Sequence, residues 1–242
     1  AGSATTRAMT PVPPNRIAAL DIARSLALLA MASFHLTVDL EIFGHLPPGT
    51  TVGGFWWYYA RAIAGSFIAL AGASLWLAHG RGIRWRAFWR REATILAGAA
   101  AVSAATFVAM RPVFVHYGIL HSIAVSSLAG LAFLRLPAGV TLAAAAGAVW
   151  LGHAGPLLPG HPALWWTGLA DSHRPAMDFE PFFPWVAPFL AGLGLAKLAE
   201  GAGLWKRLRG RGGVWAWRLG WPGRHSLAVY LIHQPVLLAL VG

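Results

Sequence analysis

Asp21, Arg24, His35 and Asp39 lie in one apolar run, Ile17-Ala-Ala-Leu-Asp21-Ile-Ala-Arg24-Ser-Leu-Ala-Leu-Leu-Ala-Met-Ala-Ser-Phe-His35-Leu-Thr-Val-Asp39. At about 100° per residue, Arg24 falls roughly 20° from His35, with Asp21 and Asp39 about 40° to the other side of His35. The four share one stripe of a helix. An ionisable group inside a bilayer costs roughly 2.5 kcal/mol or more, so it is kept where it faces a cavity or a partner. His35 and Asp39 are spaced i, i+4. A hydrogen bond between them would fix the imidazole tautomer and raise its basicity. The chemistry such a pair supplies is proton abstraction near the outer end of the helix. The alternative is a polar contact between helices.

Other residues could join this site. His45 follows in the loop Phe43-Gly44-His45-Leu-Pro-Pro, where a histidine can equally be a solvated side chain. Arg61, in Trp56-Trp57-Tyr58-Tyr59-Ala-Arg61, is too deep in an apolar run to mark topology, and Asp39 or Asp178 is a partner at its depth. His116 and His121, in Val115-His116-Tyr117-Gly118-Ile119-Leu120-His121-Ser122, are separated by about 140° if helical and do not make one metal face. His121 is the deeper of the two. Asp178 and Glu180 precede Pro181-Phe-Phe-Pro184-Trp185, which is also ordinary helix N-terminal chemistry. In Gly223-Arg224-His225-Ser226-Leu-Ala-Val-Tyr230-Leu-Ile-His233-Gln234-Pro235, the positions Ser226, Tyr230 and His233 share a face. Gln234 and His233 sit beside the carbonyl that Pro235 frees.

These residues must be positioned by membrane helices. Hydrophobic residues make up 57% of the chain and charged residues 11%, against about 25% charged in a soluble domain. The apolar runs are continuous, which disfavours a β-barrel. Five runs read as spans: Ile17–Val38, Phe55–Leu77, Thr94–Met110, Val113–Leu134 and Phe182–Leu198. Two shorter ones, Gly139–Gly152 and Leu227–Val241, bring the expected total to about seven in an all-α polytopic bundle. Residues 1–16 are expected to be an unstructured leader, with Ala1–Ala8 an added segment ahead of Met9; residues 17–242 are expected to form one transmembrane domain. No cleavable signal peptide is legible.

The net charge of +11 suggests nucleic acid until it is mapped. Most of the Arg and Lys residues fall at the N-terminus, between the second and third runs, and between the sixth and seventh. Asp39, Glu41, Asp171, Asp178 and Glu180 fall on the other side. This is the positive-inside pattern, with a cytoplasmic N-terminus and no role for nucleic acid. The basic loops also suit anionic lipid or the phosphates of a nucleotide. Leu164-Trp165-Trp166 reads as a membrane-surface anchor, and Leu204–Trp221 as an interfacial segment. The absence of cysteine excludes thiolate metal sites and acyl-cysteine intermediates. A metal site from His153, His161 and His173 lacks convincing ligand spacing; none is expected.

The sequence resembles the membrane family that includes the catalytic domain of heparan-α-glucosaminide N-acetyltransferase. The matching pieces run in order: Leu20-Asp21-Ile-Ala-Arg24 to His35, Asp39-Leu with Phe43-Gly44, Phe67–Gly72, Tyr117-Gly118-Ile119-Leu120-His121, Asp178 through Pro184-Trp185, and Gly223-Arg224-His225-Ser226-Leu through His233-Gln234-Pro235. The resemblance implies acyl transfer across a bacterial plasma membrane, from cytoplasmic acyl-CoA, usually acetyl-CoA, to a glycan or small-molecule acceptor outside. It ties catalysis to a histidine that either His35 or His45 matches. The acyl-CoA contacts nearest in charge and depth are Asp21, Arg24, Arg84, Arg224 and Ser226. Arg61, Tyr117 or His121 would face the developing oxyanion, and Asp178 would point into the site mouth. A homodimer is an open expectation. The rival class is a transporter or channel using the stripe as a polar path.

Overall fold

The computed structural model describes Pro13 and residues 16–242. The expected leader lies almost wholly outside the described residues. Among those residues the secondary structure is helical, apart from two isolated bridges, Tyr117↔Phe179 and Leu158↔Ala170. Four helices are long and apolar enough to cross a membrane: α1 Ala18–Ile42, α2 Gly54–His79, α3 Trp85–Ala109 and α6 Phe182–Gly201. Three shorter apolar helices accompany them: α4 Ile119–Phe133, α5 Ala138–His153 and α10 Ser226–Val241. Between α6 and α10 lie α7 Leu204–Leu208, α8 Val214–Leu219 and α9 Trp221–Arg224.

Polar contacts fix which helix ends lie together. Arg81, just after α2, pairs with Glu200 near the end of α6 at 2.9 Å. Lys197 Nζ donates to the carbonyls of Phe133 and Leu136 and to Thr141 Oγ1, at 2.6 to 2.9 Å. That buried lysine joins the C-terminal end of α4, where a cation complements the helix dipole, to the first turn of α5. It is a structural group rather than a loop charge. The end holding the starts of α1 and α3 is called the basic end here, and the opposite end the acidic end.

The core is built on α2 and α6. Ile68, Phe189 and Leu193 are inaccessible to solvent. The helices approach so closely that a Cβ at Gly72 would stand 2.0 Å from the Phe189 carbonyl oxygen, and one at Gly192 would stand 2.0 Å from that of Ala69. Small residues make such packing available where lipid supplies no hydrophobic drive. Gly65 of α2 and Gly147 of α5 face open space instead.

Two expected boundaries are corrected. The third span begins at Trp85, not Thr94, so Arg86, Arg90 and Arg91 are on the helix rather than in a loop. Phe88 and Glu92, spaced i, i+4, are both fully buried there. A long arginine stem can cover apolar surface while its head reaches a polar group, as Arg91 does at Ser127, which an apolar-run criterion does not register. The fourth helix starts at Ile119, not Val113. A short 3-10 turn, Arg111–Val113, and extended residues precede it. Hence His116 and Tyr117 lie ahead of the helix, and their expected helical angles do not apply.

Candidate active site

The polar stripe of α1 faces α9 and α10. At the basic end, Asp21 is buried and accepts from Arg16 Nε at 2.6 Å and from Arg24 Nη1 at 3.1 Å. Arg24 Nη2 donates to Ser74 Oγ of α2 at 2.6 Å. The Gly223 N–H donates to Ser25 Oγ at 2.9 Å, and a Cβ at Gly223 would fall 1.9 Å from the Asp21 carbonyl oxygen. Only glycine permits this approach of α9 to α1. The motif pieces Leu20–Arg24 and Gly223–Ser226 are therefore one contact. Arg224 turns away from it. Its Nη1 donates to the Trp217 carbonyl at 2.6 Å and its guanidinium lies 3.6 Å from the Trp217 ring centre.

At the acidic end, Asp39 is fully buried, and its Oδ1 accepts from Gln234 Nε2 of α10 at 2.7 Å. Oδ2 has no hydrogen-bond partner. The expected His35–Asp39 bond is not formed: Gln234 holds Oδ1 alone, and the His35 ring packs on His233 instead. His35 instead faces His233, their ring centres 4.9 Å apart. His233 Nδ1 lies 2.5 Å from the Tyr230 carbonyl oxygen, which can only accept. The proton is thus on Nδ1, and Nε2, buried and unpartnered, presents a lone pair.

A third group comes from the loops before α4 and α6. Gly118, at the N-cap of α4, has no side chain with which to cap it. Asp178 does so from across the structure: its Oδ2 accepts the Ile119 N–H at 3.1 Å. A Cβ at Gly118 would lie 2.3 Å from that oxygen. His121 Nδ1 accepts the Gly118 N–H at 3.2 Å, which leaves the His121 proton on Nε2 as a donor. The Tyr117 ring stacks with His121, centres 5.6 Å apart, and its hydroxyl is buried without a partner. Burial holds that phenol protonated by raising its pKa. Asp178, His121, Tyr230 and Gly118 line one small pocket with Ala99 and Val102 of α3.

The pocket is acidic. Burial raises Asp178 to about 6, against its hydrogen bond from Ile119. Glu180 is raised to about 9, mainly by burial and further by Asp178, with Arg61 opposing. Arg61 bonds neither Asp39 nor Asp178; it lies 3.5 Å from the Trp57 ring centre. Trp165 packs on His116, and Trp166 flanks Tyr117. The Leu164-Trp165-Trp166 segment thus covers this end of the bundle.

Residues 16–235 match the family described as heparan-alpha-glucosaminide N-acetyltransferase, catalytic. The chain belongs to this family. It is an integral membrane protein of the acyltransferase kind. Neither the curated proteins nor the solved structures contain a match to it.

Set against the expected site of this acyltransferase-family chain, the structure brings His35, Asp39, His233 and Gln234 together, and separately Tyr117, His121 and Asp178. Glu180 stands beside the second group through the Tyr117 carbonyl, which accepts its N–H at 3.2 Å. His45 is exposed in its loop. Arg84 lines a different cavity, of about 710 Å³, with Arg81, Arg209, Glu200 and Trp76. Ser226 opens α10 beside the Gly223 contact. Among the described residues no three His, Asp or Glu side chains converge on a metal position. His153, His161 and His173 are engaged separately, by the Val149 carbonyl, the Ala163 N–H and the Phe179 ring. Two residues escaped the sequence reading. Arg91 donates to Ser127 Oγ at 3.2 Å, and Glu92 is fully buried with both oxygens unpartnered. The i, i+4 burial of Phe88 and Glu92 was the available signal.

Proposed function

We propose that this protein transfers an acyl group, with acetyl the expected one, from acyl-CoA on its basic, cytoplasmic side to an amine or hydroxyl of a glycan or small acceptor on its acidic, outer side. The convergence of His35 and His233 beside the Gln234-held Asp39 is the observation that carries the reading. It sits above a stripe whose inner end is cationic and opposite a pocket whose free donors are Tyr117 and His121. The basic loops support a cytoplasmic inner end by the positive-inside pattern, and the reading takes the membrane to be a bacterial plasma membrane.

In this mechanism a histidine nitrogen of the pair, His35 in the first instance, accepts the acceptor's N–H or O–H proton. The acceptor's freed electron pair attacks the thioester carbonyl carbon. The Tyr117 hydroxyl and His121 Nε2–H donate to the oxygen that gains charge. Collapse breaks the C–S bond and returns the proton to the leaving thiolate. Asp39, fixed by Gln234, sets a buried carboxylate beside the histidine pair, with Oδ2 unpartnered. The same residues serve a two-step route in which His35 carries the acyl group. The transporter reading is less well supported, because Asp21 is closed off by Arg16 and Arg24 and Asp39 by Gln234 of α10, rather than lining an open file.

The test is transfer of radiolabel from acetyl-CoA to a mixture of amino sugars and simple amines by the purified protein in proteoliposomes. Label in an acceptor product that depends on His35 supports the proposal. Absence of product with every acceptor, together with solute flux through the same vesicles, would overturn it.

A further inference from the structure

The cavity of about 710 Å³ at the basic end is turned away from the α1 stripe. Ser74, which meets Arg24, and Trp76, which lines the cavity, are two residues apart and so about 160° apart around α2. The rest of the lining comes from the end of α2 and the turn after it, from Glu200 near the end of α6, and from Arg209 just past α7. Its volume is in the range of small-molecule sites.

Three arginines and one carboxylate line this space. Glu200 answers Arg81 at 2.9 Å. Among the described residues no carboxylate meets Arg84 or Arg209. Arg84 Nε donates to the Ala78 carbonyl at 3.2 Å, which uses one of the five guanidinium N–H donors. Arg84 is also the N-cap residue of α3, and its side chain does not cap that 25-residue helix. The first-turn amides of α3 therefore point back toward Arg84 without a side-chain partner. Unmatched guanidinium groups and an uncapped helix N-terminus both favour an anion. The guanidinium fork matches phosphate oxygens in particular.

Depth in the membrane identifies what carries the phosphate. α2 has 26 residues, about 39 Å at 1.5 Å per residue, which exceeds a hydrocarbon core of about 30 Å. The turn that follows it stands at the level of the headgroups. Trp85 and Trp89, spaced i, i+4 on the first turns of α3 and both half-exposed, mark the same level. Trp76, Leu77 and Ile83 give the cavity an apolar wall beside its cations, which suits a glycerol backbone and the first carbons of its acyl chains. We propose that this cavity binds the phosphodiester headgroup of an anionic phospholipid from the leaflet at the basic end, with Arg84 and Arg209 on the phosphate. Such pockets between helices are a recognised place for anionic headgroups. A lipid held there ties the α2–α3 turn to the end of α6 and to the segment after α7. The site does not depend on the acyl-transfer reading.

The experiment is native mass spectrometry of the purified full chain in detergent, titrated with phosphatidylglycerol or with phosphatidylcholine of the same acyl chains. The wild type should keep one phosphatidylglycerol in preference to phosphatidylcholine. In the double variant Arg84→Ala, Arg209→Ala that preference should fall about 10- to 30-fold, the share of two basic residues in the attraction. The double variant Arg86→Ala, Arg90→Ala removes the same charge from exposed positions outside the cavity and should keep the preference. Equal losses in the two double variants would reduce the effect to general surface charge and overturn the site. Inorganic phosphate that binds as tightly as the lipid would assign the cavity to a soluble phosphate and overturn the lipid reading. Should the first double variant misfold, Glu200→Gln, which releases Arg81 from its carboxylate, must tighten phosphatidylglycerol binding severalfold; unchanged or weaker binding overturns the proposal.

Discussion

Gln234 donates to the buried Asp39 carboxylate at 2.7 Å across 195 residues of sequence. It joins α1 to α10 at the level of the histidine pair. Gln234→Ala would strand a buried carboxylate oxygen, a loss of about 1–3 kcal/mol. We expect a lower midpoint of thermal unfolding in detergent and a lower rate. Asp39→Asn should unfold near the wild-type temperature, since its amide can still pair with Gln234, while activity falls to an intermediate level. Equal damage from both variants in both assays would assign Asp39 to packing alone.

Removal of a general base costs typically 10²–10⁴-fold in rate. His35→Ala should show that loss in label transfer while CoA binding, measured by calorimetry, persists. His45→Ala should stay close to wild type, because that side chain is exposed in its loop. The reverse pattern would move catalysis to the loop histidine.

Gly118→Ala sets a Cβ against Asp178 Oδ2, which must then leave the Ile119 N–H. Losing a helix cap costs about 0.5–2 kcal/mol. We expect that destabilisation together with a rate drop larger than the one from Asp178→Asn, which keeps an acceptor oxygen at the cap. Crystals or cryo-EM maps of Gly118→Ala with Asp178 unmoved would contradict the trans cap.

Asp178 and Glu180 also set a pH dependence. Both bind protons more tightly in the folded state, with pKa values of about 6 and about 9 against ordinary values of 3.8 and 4.5. Between those values the folded state holds more protons, so stability falls as pH rises. Asp178 contributes its loss up to about pH 6 and Glu180 up to about pH 9. Thermal unfolding followed from pH 5 to 9 should show a declining midpoint, and Glu180→Gln should flatten the upper part. A midpoint that climbs across that range would refute the assignment.

Orientation is open to a direct test, since the chain has no cysteine to give background. Cysteine at Arg81 or Arg211 should resist an impermeant thiol reagent in intact cells, and cysteine at Ser172 should react. All three positions are exposed.

The helices were legible because apolar length and stripe angle are local properties. The stripe of Asp21, Arg24, His35 and Asp39 does face inward, as its angles required. Its partners were not legible, because Gln234 and Gly223 meet α1 through the fold and carry no spacing signal. The same limit hid Asp178 at the start of α4: one carboxylate before a helix looks like a cap for its own helix. Arg91 and Glu92 were missed for a different reason. Charges end an apolar run on paper, whereas a long arginine stem lets the helix continue in the membrane. The break at Val113–Gly118 was overlooked because its residues are as apolar as the helix that follows.

The contact between α1 and the α9–α10 segment has a consequence for how the protein is made. Synthesis delivers α1 to the bilayer well before α10, so Asp39 and its stripe wait for Gln234 and Gly223 until the helices between them have been inserted. Until then α1 carries ionisable groups that the bilayer disfavours, and no histidine pair exists. Assembly order thereby withholds the histidine pair from a half-made chain, and an insertion that places α10 wrongly leaves α1 as the segment most exposed to quality control.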